Sequence, residues 1–503
     1  MRGFTRLRRP LSSHALYVLA LLVVLAGVVA ALIARHALDQ RSSATPEDYS
    51  PPIAVTVEPR RRGPVVPQGF VGLSFEMSSL PLIAGYSHSG DFVALLRSLG
   101  PGVMRFGGIS ADWTSWIDKP RDGPLWPATT VTNDDLRLLA SLTREAGWQV
   151  LLGLDLVHYE PQAAASEVAE ARRNLRARLA GVEIGNEPNA YGHHGLRLAS
   201  WSFSQYQNEI EAYRQLIDAA APGVALAGPD VSGSGGRAIP DWVRPEALQT
   251  RPSLLTGHYY SLGCHDAHPP SITRLLDKQT REGMERSLAA YASVSHATGI
   301  PFRVDEANSV SCGGQAGVSN NFASALWAVE FIVHAMASGV VGVNLHGHLE
   351  NCGGYAPLCA TTRSRLLTGQ LHPQPEWYAL LFTKPLVGDS AVQVKNSPRN
   401  PHIDITAFAS RSGGVHIVIV NSASAGGRAQ RILLRVPGRH AHARATILAA
   451  PSLEATSDVT LGGRTVAGNG TWAGPSQVPV ELDRGSEVSL SVEPCTATLI
   501  SLY

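Results

Sequence analysis

The stretch GVEIGNEPN, residues 181–189, is an apolar, β-like run that ends with a glutamate, Glu187, between an asparagine and a proline. A lone carboxylate at a strand end is usually a salt bridge or a cap. Whether this one is more depends on what the rest of the chain places around it. Seven further runs have the same short apolar or β-branched character: GFVGLSFE (69–76), GVMRFGG (102–108), WQVLLGLDL (148–156), VALAGPD (224–230), LLTGHYY (254–260), PFRVDEAN (301–308) and VVGVNLHGH (340–348). Helix-like segments lie between them. NDDLRLLASLTREAG (133–147) opens on an Asn/Asp cap and carries leucines at helical spacing; 166–180 and 321–337 behave likewise. Eight strand–helix units over about 300 residues predict an α/β fold, a (β/α)8 TIM barrel across 66–386. An open doubly wound sheet usually has fewer strands and often a Gly-rich phosphate loop, and neither is evident.

Beyond residue 387 the pattern changes to short alternating strands with Gly, Pro and Asn turns, such as HIDITAFAS, GVHIVIVNS and TATLISLY. This predicts a β-sandwich over 387–503. The early strand in 53–65 has no barrel partner and is expected to join it. Residues 1–14 carry Arg2, Arg6, Arg8 and Arg9, and residues 15–34 are uncharged throughout. Twenty such residues would span about 30 Å as a helix, the thickness of a bilayer core. The flanking arginines favour a cytoplasmic N-terminus. The expectation is a single-pass membrane protein with its catalytic part outside, or a protein secreted after signal cleavage; 35–52 reads as a linker. Five cysteines fit an oxidising compartment. Cys352 with Cys359, and Cys264 with Cys312, are candidate pairs. A formal net charge of +1 gives no case for nucleic acid.

Barrel enzymes place their chemistry at the C-terminal ends of strands. Glu187 ends the fourth predicted strand and Glu306, in FRVDEAN, the seventh. Strands four and seven face each other across an eight-strand mouth. Two carboxyl groups there suit a retaining glycosidase, which needs them about 5–5.5 Å apart. Asn186 is placed to hydrogen-bond a sugar hydroxyl. Tyr259 or Tyr260, at the end of strand six, is placed to donate to Glu306; strand alternation alone does not decide which.

EIGNEPN (183–189), the strand-seven glutamate followed by a GG pair, and PQPEWYALLFTKPLVG (373–388) together resemble glycoside hydrolase family 79, which contains β-glucuronidases and heparanases. The resemblance covers about 53–503. It implies Glu187 as acid/base, Glu306 as nucleophile and Tyr259 as the tyrosine near the nucleophile. It also implies Gly313 and Gly314 as backbone ligands of a sugar carboxylate, Tyr355 in the same pocket, and Glu76 on sugar hydroxyls. The chain departs from heparanases in SVSCGG (309–314), where Ser311 or Cys312 replaces a tyrosine, and at Leu345, which replaces an aromatic.

Other candidates have plainer readings. Arg105 and Glu183 are expected to pair as structural support for Asn186 and Glu187. Asp112 is expected to cap a helix, and Asp305 to point away from Glu306. His346 and His348 are read as pocket-lining histidines, with no metal and no organic cofactor required. Trp113 and Trp116 are candidate sugar platforms and Trp377 is read as core. The reading is a retaining β-glycosidase acting on a carbohydrate, with a uronic-acid glycoside as first choice of substrate. The alternatives are a neutral-sugar β-glycosidase and a tethered carbohydrate-binding protein.

Overall fold

The computed structural model describes residues 51–117, 126–233, 237–395, 400–483 and 486–503. The expected anchor or signal at 15–34, with 1–14 and 35–50, lies outside the described residues. Among the described residues no helix is long and apolar enough to cross a membrane.

Eight parallel strands close into a barrel in chain order. They are Val71–Glu76, Val103–Gly107, Gln149–Leu154, Leu179–Ile184, Leu226–Val231, Leu254–Leu262, Phe302–Val310 and Gly342–His346, called here strands one to eight. Closure is made by strand eight on strand one, with Val343 opposite Val71 and His346 opposite Ser74. All eight predicted runs are barrel strands. Their outward residues pack on helices such as Asn133–Ala146 and Phe322–Ser338. Inside the barrel, buried polar groups replace part of the usual apolar filling. Arg303 donates to Asn344 (2.6 Å), and Asn344 donates to the carbonyls of Leu73 and Val103.

Two helix readings are corrected. The first helix is capped by Thr132, not by an Asn or Asp: Thr132 accepts from the Asp135 amide while the Asp135 carboxylate accepts from the Thr132 amide. The helix read over 166–180 runs instead over Pro161–Leu175. Leu179 is taken by strand four, where it lies opposite Val150, so barrel closure overrides the helical propensity of the arginine-rich tail.

Ten strands form one further sheet. Ile53–Val65 sits inside it, antiparallel to Ser390–Lys395 and parallel to Gln430–Arg435. The sheet buries its own core of Val55, Val57, Ile417, Ile419, Leu434 and Ile500. It is joined to the barrel's outer helices by buried ion pairs. Arg281, on helix Lys278–Thr298, reaches Asp404 of the sheet at 4.0 Å and pairs with Glu330 of the neighbouring helix at 3.1 Å. His334, on helix Phe322–Ser338, meets Asp404 of sheet strand Ile403–Ala409 at 2.9 Å and Glu285 at 3.5 Å.

This joint is pH-dependent. Burial alone would lower the pKa of the His334 imidazole, but Asp404, with Glu285 and Glu330, pushes it up to about 9. A raised histidine contributes stability that is full below its unfolded value of 6.5 and lost as pH rises through about 9. Thermal unfolding followed from about pH 6 to about pH 10 is expected to fall across that window, and His334→Gln to flatten the fall. An unchanged slope in the variant would show that the joint does not titrate.

Candidate active site

Arg105 rises from strand two into the middle of the barrel and is fully buried. Gly107 and Gly108 follow it; a Cβ at Gly107 would overlap the guanidinium, and one at Gly108 the Glu76 carboxylate. Every face of the guanidinium is used. Nε lies 3.0 Å from Glu183 and 3.0 Å from Asp305. Nη1 donates to Glu306 at 2.6 Å and to Ser74 at 3.1 Å. Nη2 donates to Asp230 at 2.8 Å and to Asn186 Oδ1 at 3.0 Å. The pair expected with Glu183 is present, and Arg105 also reaches Glu306 directly.

Burial first, then Asp305, pushes Glu183 up to about 8. Asp305 is pushed up to about 7 by burial and Asp230. Its expected outward direction is a correction. The pairing of strands six and seven slips between Val304 and Glu306, so the extra residue turns inward beside Glu306.

Glu187 follows strand four with a left-handed backbone (φ 52°) and donates its N–H to the Asp230 carbonyl. Its Oε1 lies 2.9 Å from Nδ1 of His258, a fully buried strand-six residue. The same Nδ1 lies 3.7 Å from Glu306 Oε1, and His258 Nε2 lies 2.7 Å from Asp230. Burial would lower the His258 pKa, but Glu306 and Asp230 raise it well above the ordinary value. Burial would likewise raise Glu306. His346, His258 and Arg105, with a hydrogen bond from Tyr260, hold it well below the carboxylate range.

Tyr260 donates to Glu306 Oε1 at 2.7 Å. Tyr259 is the correction to the resemblance: its ring stacks on Phe331 and its hydroxyl accepts from Ser261. Alternation is the reason, since His258 inward means Tyr259 outward and Tyr260 inward. Tyr355 is 3.3 Å from the Tyr260 hydroxyl and accepts the Gly313 N–H at 3.2 Å. Gly314 directs its N–H to the Ser311 carbonyl at 3.4 Å. The glycine pair, expected to be open to a sugar carboxylate, therefore has both N–H groups engaged. Two disulfides, Cys264–Cys312 and Cys352–Cys359, tie down the loops that carry Gly313 and Tyr355; Cys495 is buried and unpaired.

Glu76 ends strand one, accepts the Ser110 amide at 2.8 Å and the Ser110 hydroxyl, and lies 3.7 Å from His346. Burial would raise its carboxyl, but His346 and Ser110 pull it below the ordinary value. Glu76, His346 and His348 present ligand-type atoms within 4.8 Å of one another, a set able to take a divalent cation that sequence spacing did not reveal. Asp230, His258 and Asp305 are grouped as closely, but the Arg105 cation against Asp230 opposes a metal there. Asn186 is buried, and its Nδ2 makes no hydrogen bond among the described residues.

Asp112 neither caps a helix nor faces the pocket. It accepts from the Leu156 amide and from the Tyr191 hydroxyl at 2.6 Å, and that hydroxyl accepts the Asn186 N–H. Trp116 and Trp377 are buried, and Trp113 is 38% exposed. Sequence reasoning missed His258 and Asp230. Their signal was present: each is a polar residue at the C-terminal part of a barrel strand, in GHYY and AGPD.

No family model matches the chain. Over 428 residues it is 25% identical to a β-glucuronidase of Aspergillus niger, with 76% of each protein covered. Over 224 residues it is 25% identical to a β-glucuronidase of Neurospora crassa, covering 40% of this chain and 37% of the relative. A 4-O-α-L-rhamnosyl-β-D-glucuronidase from Fusarium oxysporum shares its fold at a TM-score of 0.71 and 18% identity, over 89% of this chain and 100% of the other. A family 51 arabinofuranosidase from Xanthomonas axonopodis does so at 0.66 and 14%, over 90% and 100%. The chain is a glycoside hydrolase, similar in sequence to the β-glucuronidases.

Proposed function

We propose that the protein is a retaining β-glycosidase that removes a uronic-acid sugar by double displacement, with Glu306 as nucleophile and Glu187 as acid/base. The carrying observation is that both carboxylates contact one nitrogen, His258 Nδ1, at 2.9 and 3.7 Å. Their contacting oxygens lie no further apart than those distances laid end to end. That limit is at the lower edge of the roughly 6.5–9.5 Å that an inverting pair needs to admit water.

Glu306, held below the ordinary carboxylate range by His346, His258 and Arg105, attacks the anomeric carbon. Glu187 gives its proton to the leaving oxygen. Water then enters, loses a proton to Glu187 and releases the sugar with its configuration retained. Asn186, fixed through Oδ1 by Arg105, keeps its Nδ2 to donate to a sugar hydroxyl. Arg105 and His258 position the pair, and Tyr260 supports the nucleophile's charge.

The uronide assignment rests on the curated relatives and on Tyr355 beside the glycine pair. A neutral sugar is the second reading, and it is favoured by one observation: the N–H groups of Gly313 and Gly314 already have acceptors. We further propose that the catalytic part is exported and that 15–34 is an anchor or a leader. The two disulfides support an oxidising compartment. Fractionation of cells expressing the full chain is expected to find it outside the cytoplasm; a reduced cytoplasmic pool would contradict export.

Hydrolysis of nitrophenyl β-glucuronide, glucoside, galactoside and xyloside decides the sugar, with glucuronide turnover expected to dominate. Glu306→Gln is expected to abolish turnover. Glu187→Gln is expected to cost about 10²–10⁴-fold on substrates whose leaving oxygen needs a proton, and less on nitrophenyl substrates. Full activity in either variant would overturn the assignment. Tyr260→Phe removes a donor that favours ionised Glu306, so the acidic limb of kcat/KM is expected to move to higher pH; an unmoved limb would detach Tyr260 from the nucleophile.

A further inference from the structure

The described surface exposes few large apolar side chains, and several of them gather on the loops after strands two to four: Ile109 (60%), Trp113 (38%), Tyr159 (46%) and Leu198 (79%). Isolated exposed apolar residues are ordinary, but aromatic rings held rigidly beside a sugar site are not. Trp113 is held from below. His158 meets it edge-on at 5.2 Å, is itself stacked on Trp126 at 3.5 Å and 8°, and is anchored by Asp155 at 3.1 Å. Tyr159 packs edge-on against Tyr213. Its backbone is left-handed (φ 51°), an arrangement costly for a bulky residue and one that the surrounding loop must enforce.

This cluster is continuous with the active site. Trp113 ends the short helical turn Ile109–Trp113, in which Ser110 donates to Glu76 and Asp112 accepts from Tyr191. The Tyr191 hydroxyl in turn accepts the Asn186 N–H. Asp112, next to Trp113 in the chain, also accepts the amides of Leu156 and Val157 in the loop that carries Tyr159, so both rings are carried by backbone tied to the brace of the Asn186–Glu187 segment.

We infer that Trp113 and Tyr159 form a stacking subsite for the leaving-group sugar, so that the substrate is an oligosaccharide or a glycan end. The inference rests on the hydrolase reading above. A pyranose presents a flat C–H face that packs on an aromatic ring, while its hydroxyls remain in water. A tight pocket for an isolated monosaccharide glycoside has no use for such rings at its rim.

The test compares a disaccharide of glucuronic acid β-linked to galactose with nitrophenyl β-glucuronide. Trp113→Ala and Tyr159→Ala are each expected to cut kcat/KM for the disaccharide roughly tenfold more than for the nitrophenyl substrate, the scale of one lost ring contact. Trp113→Phe keeps a ring and is expected to recover most of the loss. Equal effects on both substrates, or none, would overturn the subsite. If the wild type cleaves neither compound, the uronide reading fails and the subsite is judged by binding. Fluorescence titration of Glu306→Gln protein with a disaccharide of the neutral sugar whose nitrophenyl glycoside is cleaved, β-linked to galactose, is then expected to weaken about tenfold on adding Trp113→Ala. Absent or unaltered binding would overturn it.

Discussion

Arg105 is a cation with no access to water, and the centre of the barrel is organised around keeping it there. A buried guanidinium is tolerable only when its donors are all matched, since desolvation costs several kcal/mol per ion in practice. Here four carboxyl groups from three strands, Glu183, Asp230, Asp305 and Glu306, converge on it. The arrangement fixes the relative height of strands two, four, five and seven. It also sets the charge state of the site. Glu183 and Asp305 are pushed toward neutrality, while Glu306 is pulled the other way because Arg105, His258 and His346 all bear on it. Arg105 therefore closes the interior of the fold and, with His346 and His258, holds Glu306 below the ordinary carboxylate range.

The rest of the site extends from that centre. Asp230 links Arg105 to His258, and His258 links both to Glu187, so the proposed acid/base is placed by the same cation as the proposed nucleophile. The second wall, Tyr260 to Tyr355 to Gly313, is held by hydrogen bonds and by disulfides in the loops around it. On the outside, ion pairs at His334 and Arg281 fasten the helices behind strands six and seven to the β-sheet. The sheet thereby braces the helices behind the strands that carry Tyr260 and Glu306.

Much of this was legible in the sequence because it follows from periodicity. Strand runs, helical spacing and the habit of barrels to put polar residues at strand ends led to all eight strands and to Glu187 and Glu306. What was not legible depended on local irregularity. Nothing in FRVDEAN announces the slip in pairing that turns Asp305 inward. Tyr259 and Tyr260 cannot be told apart until His258 is known to face the barrel. Asp112 resembles a helix cap in sequence because the loop amides it satisfies come from residues 156 and 157, far along the chain. The true cap, Thr132, was passed over for the more conspicuous Asn133-Asp134-Asp135.

The central claim is that Glu306 forms the covalent bond to sugar while Glu187 does not. Incubation with a 2-deoxy-2-fluoro-β-glycosyl fluoride of the preferred sugar, followed by peptide mass spectrometry, tests it directly. The account predicts one sugar mass on the peptide containing Phe302–Val310, at Glu306. A label on Glu187, or inverted product with no label at all, would contradict it.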